Sequence, residues 1–170
     1  SSDVSSSDLE IDQSMARLPA ESRANEEEVA SMRAFLASDD GREFAMVNLV
    51  KLSPEPVAHP VTGEKMPARD LLQLYTKDFF PPLLRRAGFP LVGARALGSY
   101  VDSWNVPPDP GWSIVGYMRY RSRRDMMELV VDPRFEKAHR FKIAAMPTTF
   151  SFPTKPFVGF YMSPDRKSTR

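Results

Sequence analysis

The sequence predicts an α+β fold of the ferredoxin-like plan: β-α-β-β-α-β, with an antiparallel four-stranded sheet, two helices on one face and a helical arm in front. Three observations predict it. Apolar stretches of strand length at 44–52, 91–101, 112–120 and 148–152 alternate with helix-period stretches in that order. Turn-rich breaks separate them, drawing on 16 prolines and 8 glycines. The first strand is apolar on both faces, so each face needs cover.

Length and composition bound the rest. The chain has 170 residues, 42% of them hydrophobic and 26% charged, which suits one globular domain with an arm. A chain of this size buries roughly 70% of its unfolded surface and needs no staple. It has no cysteine, which excludes a disulfide framework, a thiolate zinc site and cysteine catalysis. No apolar run approaches the ~20 residues of a membrane helix. A net charge of +1 gives no ground for a polyanion partner, and nucleic acid is not expected. The compartment stays open between cytoplasm and export. A start at Ser1 rather than methionine is what a trimmed or processed product gives, a removed export signal being one route.

Charge is unevenly placed. Residues 1–45 hold eleven acids against four arginines, a balance of −7, which leaves +8 for the remainder. The division expected is an acidic arm over 1–42 with one short helix, a domain over 43–162, and a basic tail over 163–170. The arm either lies on a basic surface, its own or a protein partner's, or stays solvated. Its first residues, Ser1 to Ser7, are poor in apolar groups and expected to be mobile.

Asn25-Glu26-Glu27-Glu28 reads as a helix start, with Asn25 as cap and carboxylates at the positive end of the dipole. Val29, Met32, Phe35 and Leu36 follow at helical spacing, and Gly41 suits a left-handed end. Phe44 to Leu52 is the first strand. Ser53 to Met66, with Pro54, Pro56, Pro60 and Thr62-Gly63, reads as a loop. Pro67 opens a helix carrying Leu71, Leu72, Tyr75 and Phe79. Pro81-Pro82 should kink or restart it, because proline removes a donor and clashes with the preceding turn. Gly88 should close it.

Leu91 to Val101 is the second strand, and Trp112 to Tyr120 the third. Ser122-Arg123-Arg124-Asp125 has the form of a capping box. The helix it opens shows Met126, Met127, Leu129 and Val130 on its apolar face. Asp132-Pro133 interrupts, and Arg134 to Ala145 continues as helix with Phe135, Ala138, His139 and Lys142. Thr148 to Phe152 is the fourth strand, with an edge segment expected over Phe157 to Met162. A sheet apolar on both faces calls for a second sheet, and face-to-face packing of two copies gives a homodimer.

The stretch from Met46 to Pro153 resembles the domain of unknown function 1330 family, in the dimeric α/β-barrel superfamily. The residues that carry the likeness are Met46 to Leu52, the Tyr75 helix, Leu83 to Gly88, Asp102-Ser103-Trp104-Asn105, Arg119 to Ser122, Asp132 to Phe135 and His139 to Ala145. The resemblance implies a dimeric fold and no particular activity. A weaker likeness lies in Phe135-Glu136-Lys137-Ala138-His139, which resembles a segment of antibiotic-biosynthesis-type and haem-degrading monooxygenases. In the haem-degrading group an asparagine, a tryptophan and a histidine line the pocket. Asn48 and His139 match two of them, but Leu129 stands where the tryptophan would fall. Haem is therefore disfavoured, and no cofactor is expected.

The candidate site follows from these residues. Asn48, an amide within an apolar strand, must find hydrogen-bond partners, in a ligand or in the backbone. His139 shares a helical face with Phe135 and is the candidate catalytic base, or else a half-buried structural histidine. Tyr75 and Tyr117 are candidate pocket walls with polar ends. Arg119, inside an apolar strand, needs a partner and is a candidate contact for an acidic ligand. Among the eight basic residues from Arg119 to Lys142, the others read mainly as a solvated face. No metal site is expected, since a lone histidine without neighbouring carboxylates cannot supply three ligands. Whether the chain is an enzyme stays open. The first reading is a homodimer that binds a small apolar or acidic molecule between sheet and helices. A second is a cofactor-light monooxygenase acting on a quinol- or phenol-like substrate, and a third a non-catalytic assembly subunit that docks through its arm.

Overall fold

The structure is a computed structural model and describes residues 7–158. Its centre is one four-stranded antiparallel sheet built from β1 (Phe44–Lys51), β4 (Phe89–Arg95), β5 (Ile114–Tyr120) and β6 (Thr148–Thr154). The spatial order is β4-β5-β1-β6, and every neighbouring pair runs antiparallel. Two helical crossovers join these strands: α4 (Ala68–Arg85) between β1 and β4, and α5 (Arg123–Val130) with α6 (Pro133–Ala145) between β5 and β6. This is the β-α-β-β-α-β order of a ferredoxin-like fold.

Strand alternation divides the sheet's side chains. Phe44, Val50 and Tyr120 join Leu71, Tyr75, Phe79 and Leu83 of α4 and Ala138 and Phe141 of α6 in one buried core. Leu71, Leu83 and Leu129 are its most completely enclosed large side chains. The opposite face carries Val47, Leu49, Val115, Tyr117, Phe150 and Phe152, by register with β1. Neither helix crossover covers that face, and Val115, Phe150 and Phe152 are 36–46% exposed.

Local signals set the element ends. Asn25 accepts the Glu28 amide at 3.1 Å and Ser122 accepts the Asp125 amide at 3.0 Å, as their spacing predicts. Asp132 accepts the Arg134 amide at 2.9 Å in front of Pro133.

Several expectations are corrected. The arm does not hold one helix: α1 (Asp8–Ala16) and α2 (Ala20–Arg23) precede α3 (Glu26–Ala37). Ser7 and Glu10 form a capping box at the start of α1. Ile11, Met15 and Leu18 then lie on one stripe, buried with Leu36 against Met127 of α5. Helix α4 runs unbroken through Pro81 and Pro82. Burial of Phe79, Pro82 and Leu83 in the core offsets the lost backbone bonds there. The second strand ends at Arg95 rather than Val101, and the loop after β1 contains a two-residue hairpin, β2 (Val57–Ala58) with β3 (Lys65–Met66). Gly88 does close α4, its amide donating to the Leu83 carbonyl at 3.0 Å, and the left-handed residue of that ending is Ala87, at φ 56°. Most of the edge segment expected over Phe157 to Met162, like the basic tail and residues 1–6, lies outside the described residues.

Candidate functional site

A cavity of about 430 Å³ lies between the helix-facing side of the sheet and helices α3, α4 and α6. That is within the range of small-molecule sites. Its floor comes from strand positions that point toward the helices: Met46, Asn48 and Val50 of β1, Ile114, Gly116 and Met118 of β5. Its walls are mainly apolar, from Leu72, Phe79 and Phe80 of α4, Val29 and Met32 of α3, and Phe135 of α6. The volume exists partly because two glycines face each other in the sheet. Gly93 pairs with Gly116, and Gly116 in turn pairs with Asn48. A Cβ at Gly93 would meet nothing within 4 Å, and one at Gly116 would touch only Asn48 and Met118, at 3.9 Å.

Three of the five predicted site residues line this cavity: Asn48, Tyr75 and His139. The Asn48 amide is already engaged across two strands. Its Nδ2 donates to the Met46 carbonyl at 3.3 Å, and its Oδ1 accepts the Ser151 hydroxyl at 2.6 Å. Ser151 sits opposite Asn48 in the β1–β6 register and also lines the cavity. Tyr75 stacks on Phe79 at 5.4 Å, and burial pushes its phenol well above the usual range, so it stays protonated. The same burial raises Tyr120, which lines the cavity from β5. His139 stacks on Phe135 at 5.7 Å, one helical turn away.

Tyr117 and Arg119 are not part of this group. Both alternate with Gly116 and Met118 and so lie on the opposite face of the sheet. The Tyr117 hydroxyl shares a 2.8 Å hydrogen bond with Thr154 Oγ1. Arg119 donates through Nε to Glu43 at 2.8 Å and through Nη2 at 2.5 Å, and also donates to the Ala87 carbonyl. Its guanidinium lies over the Phe89 ring at 5.3 Å. The partner that an arginine in an apolar strand requires is thus supplied within the chain. His59, the other histidine, accepts the Val61 and Thr62 amides at 3.0 and 3.1 Å and packs edge-on against Phe141.

Lys142 also lines the cavity, three residues after His139 on the same face of α6. From sequence it reads with the solvated basic residues of this region. The signal that placed it inward was available: Phe135, His139, Lys142 and Met146 recur at i+4, i+3 and i+4. Burial lowers the proton affinity of its ammonium. Ser151 and Lys142 are the site residues that sequence reasoning missed.

The N-terminal helices close one side of the same space, through Leu18, Val29 and Met32. They are fixed by Arg123 of α5, which donates to the Phe35 carbonyl and to Ser38 Oγ at 2.8 Å. Its guanidinium lies over the Phe35 ring at 4.4 Å and stands 3.8 Å from Asp39. Arg124 pairs with Glu10 at 3.4 Å. Acidic N-terminal residues therefore meet basic residues of the chain's own α5.

No protein-family model and no curated protein matches this chain. Solved structures do. A protein of unknown function from Rhodopseudomonas palustris is 24% identical and superposes with a TM-score of 0.62, over 79% of this chain and 95% of that one. The methylated form of that protein gives 24% identity and a TM-score of 0.61, over 79% and 93%. A dimeric protein of unknown function and ferredoxin-like fold from Bacteroides fragilis aligns more loosely, with 13% identity and a TM-score of 0.41 over 69% and 98%. The α+β fold with its four-stranded antiparallel sheet is thus shared with a solved protein of unknown function, and the likeness concerns the fold alone.

Proposed function

We propose that this chain is a small-molecule-binding protein whose ligand occupies the cavity between sheet and helices. The observation that carries the reading is an apolar cavity of about 430 Å³, kept open by Gly93 and Gly116 and given a polar edge by Asn48, Ser151 and His139. A filled core has no use for paired glycines on neighbouring strands of the sheet, here the edge strand β4 and the inner strand β5, since glycine there weakens the strand and leaves a void. Tyr75 forms part of the wall, and its neutral phenol offers a donor to the ligand.

The working unit of this reading is a homodimer. Its support is the uncovered sheet face, where Val92, Val115, Phe150 and Phe152 are 36–46% exposed and Trp112 packs edge-on against Phe150. Contiguous apolar surface of this kind marks an association site, and a second copy of the same face is complementary to it in chemistry. Sedimentation of the full chain at micromolar concentration checks the dimer, and a monomer would remove it from the reading.

The cavity is tested by filling it. The variant Gly116→Leu places a branched side chain where a Cβ meets only ordinary contacts. The neutral apolar dye N-phenyl-1-naphthylamine should fluoresce on binding the wild-type chain at one site. The variant should lose at least tenfold in affinity while its unfolding midpoint stays close to wild type. A variant that binds the dye as well as wild type, or a wild-type chain that leaves it dark, refutes the cavity as the binding site.

A further inference from the structure

We infer that the ligand of this cavity is an organic acid with an apolar body, whose anionic end is held by Lys142. The inference rests on the cavity reading and deepens it. No hydrogen bond or ion pair among the described residues engages the Lys142 ammonium. Among the described residues no fully enclosed polar side-chain atom lacks a partner, so this unpaired nitrogen is not sealed in the packed core, and its side chain lines the cavity. A desolvated cation without a counter-charge is costly, and its proton affinity falls accordingly. A carboxylate entering the cavity supplies that counter-charge in a setting of low dielectric, where a charge-assisted hydrogen bond is strong.

The other charged and titratable groups around the cavity fit this assignment. His139 lies one turn before Lys142 and adds a nitrogen rather than a competing anion. Tyr75 and Tyr120 are held protonated by burial and so present no negative charge. Glu28 is the one carboxylate among the described lining residues. It sits in the exposed first turn of α3, where water and the helix dipole stabilise its charge, and it forms no ion pair with Lys142. Apart from the uncharged polar groups of Ser22, Asn48, Thr76 and Ser151, the remaining walls are apolar, so the bound molecule presents one charged end and a mainly hydrocarbon surface.

The test compares acids with neutral analogues of nearly the same shape. Titration calorimetry of the full chain at neutral pH and low salt would use three pairs: 2-naphthoate with 2-naphthalenemethanol, 4-phenylbutyrate with 4-phenylbutanol, and decanoate with decanol. Wild type should prefer at least one acid over its alcohol by about tenfold or more, the range for a hydrogen bond to a charged group. Lys142→Met, which replaces the unbranched alkyl stem with one of matching length and removes the charged end, should reduce that preference to twofold or less while still binding the alcohol. Acid and alcohol bound equally by wild type would overturn the anion assignment; loss of both in Gly116→Leu would show that the cavity reading survives it. An acid preference that persists in Lys142→Met overturns it as well. If none of the six compounds binds wild type, the cavity reading fails and takes this inference with it.

Discussion

The end of α4 offers two adjacent substitutions whose effects should have opposite signs. Ala87 donates to the Leu84 carbonyl and Gly88 to the Leu83 carbonyl, both at 3.0 Å, which is the pairing of a Schellman ending. The left-handed position of that motif belongs to Ala87, at φ 56°, while Gly88 does not adopt a positive φ. An alanine in the left-handed region costs about 1–2 kcal/mol in the folded state. Replacing it by glycine also gives the unfolded chain extra freedom worth about 0.4–1 kcal/mol. The difference predicts that Ala87→Gly stabilises the chain by about 0.5–1 kcal/mol, or a rise of roughly 2–4 °C in Tm per kcal/mol for a chain of this size.

Gly88 answers a different need. A Cβ there would lie 2.4 Å from Leu83 Cδ1 and 3.0 Å from the Arg119 carbonyl oxygen. Leu83 is 1% exposed and has no room to swing away, and the carbonyl belongs to a paired strand. Gly88→Ala should therefore cost about 1–3 kcal/mol, the range for forcing an extra methyl into a packed core. Urea unfolding followed by far-ultraviolet circular dichroism measures both, with unchanged slopes expected. Neutral or destabilising behaviour of Ala87→Gly would refute the left-handed assignment. A cost below about 0.5 kcal/mol for Gly88→Ala would refute the close approach of strand and helix.

Two further outcomes follow from the ion pairs and caps. Asp132 is held at a pKa of about 2, first by its hydrogen bond from the Arg134 side chain and then by the Arg134 amide. A depressed carboxyl contributes stability that is complete above its unfolded value near 4 and is lost as pH falls toward 2. Asp132→Ala should thus cost about 1 kcal/mol at neutral pH, the usual value of a lost helix cap, and the gap should close between about pH 4 and pH 2. Urea titrations at a series of pH values measure it, and a gap independent of pH contradicts the assignment. Arg123→Ala removes the cation that fastens Phe35, Ser38 and Asp39 to α5. Hydrogen exchange should quicken at Ile11, Met15 and Leu36 with little change in β1 and β5; equal protection in both regions would show that Arg123 does not hold the N-terminal helices.

Much of the fold was legible because its signals are local. The caps read at Asn25 and Ser122 depend on side chains within three residues of the amides they accept. The four strands and their alternation with helices follow from apolar period alone. Where the reading failed, a distant contact decided. Pro81 and Pro82 read as a kink or a restart, but the helix does not restart there: packing of Phe79 and Leu83 carries it through them. The Ser-rich leader hid the Ile11, Met15, Leu18 stripe, whose burial depends on Met127 more than a hundred residues away.

The candidate site divides in the same way. Asn48, Tyr75 and His139 could be read because strand and helix periods fix which face each residue occupies within its own element. Periodicity does not say which face of a strand meets the helices when both faces are apolar. Shifting one position along β5 moves a side chain from cavity to open face, and that is why Tyr117 and Arg119 fall opposite Gly116 and Met118. Sequence determined the four sheet strands, the helices between them, their order and the caps at Asn25 and Ser122, since those arise from interactions a few bonds apart. Tertiary structure alone decided the cavity, the inward place of Lys142 and the pairing of Arg119 with Glu43, because each depends on how separate elements are brought into register.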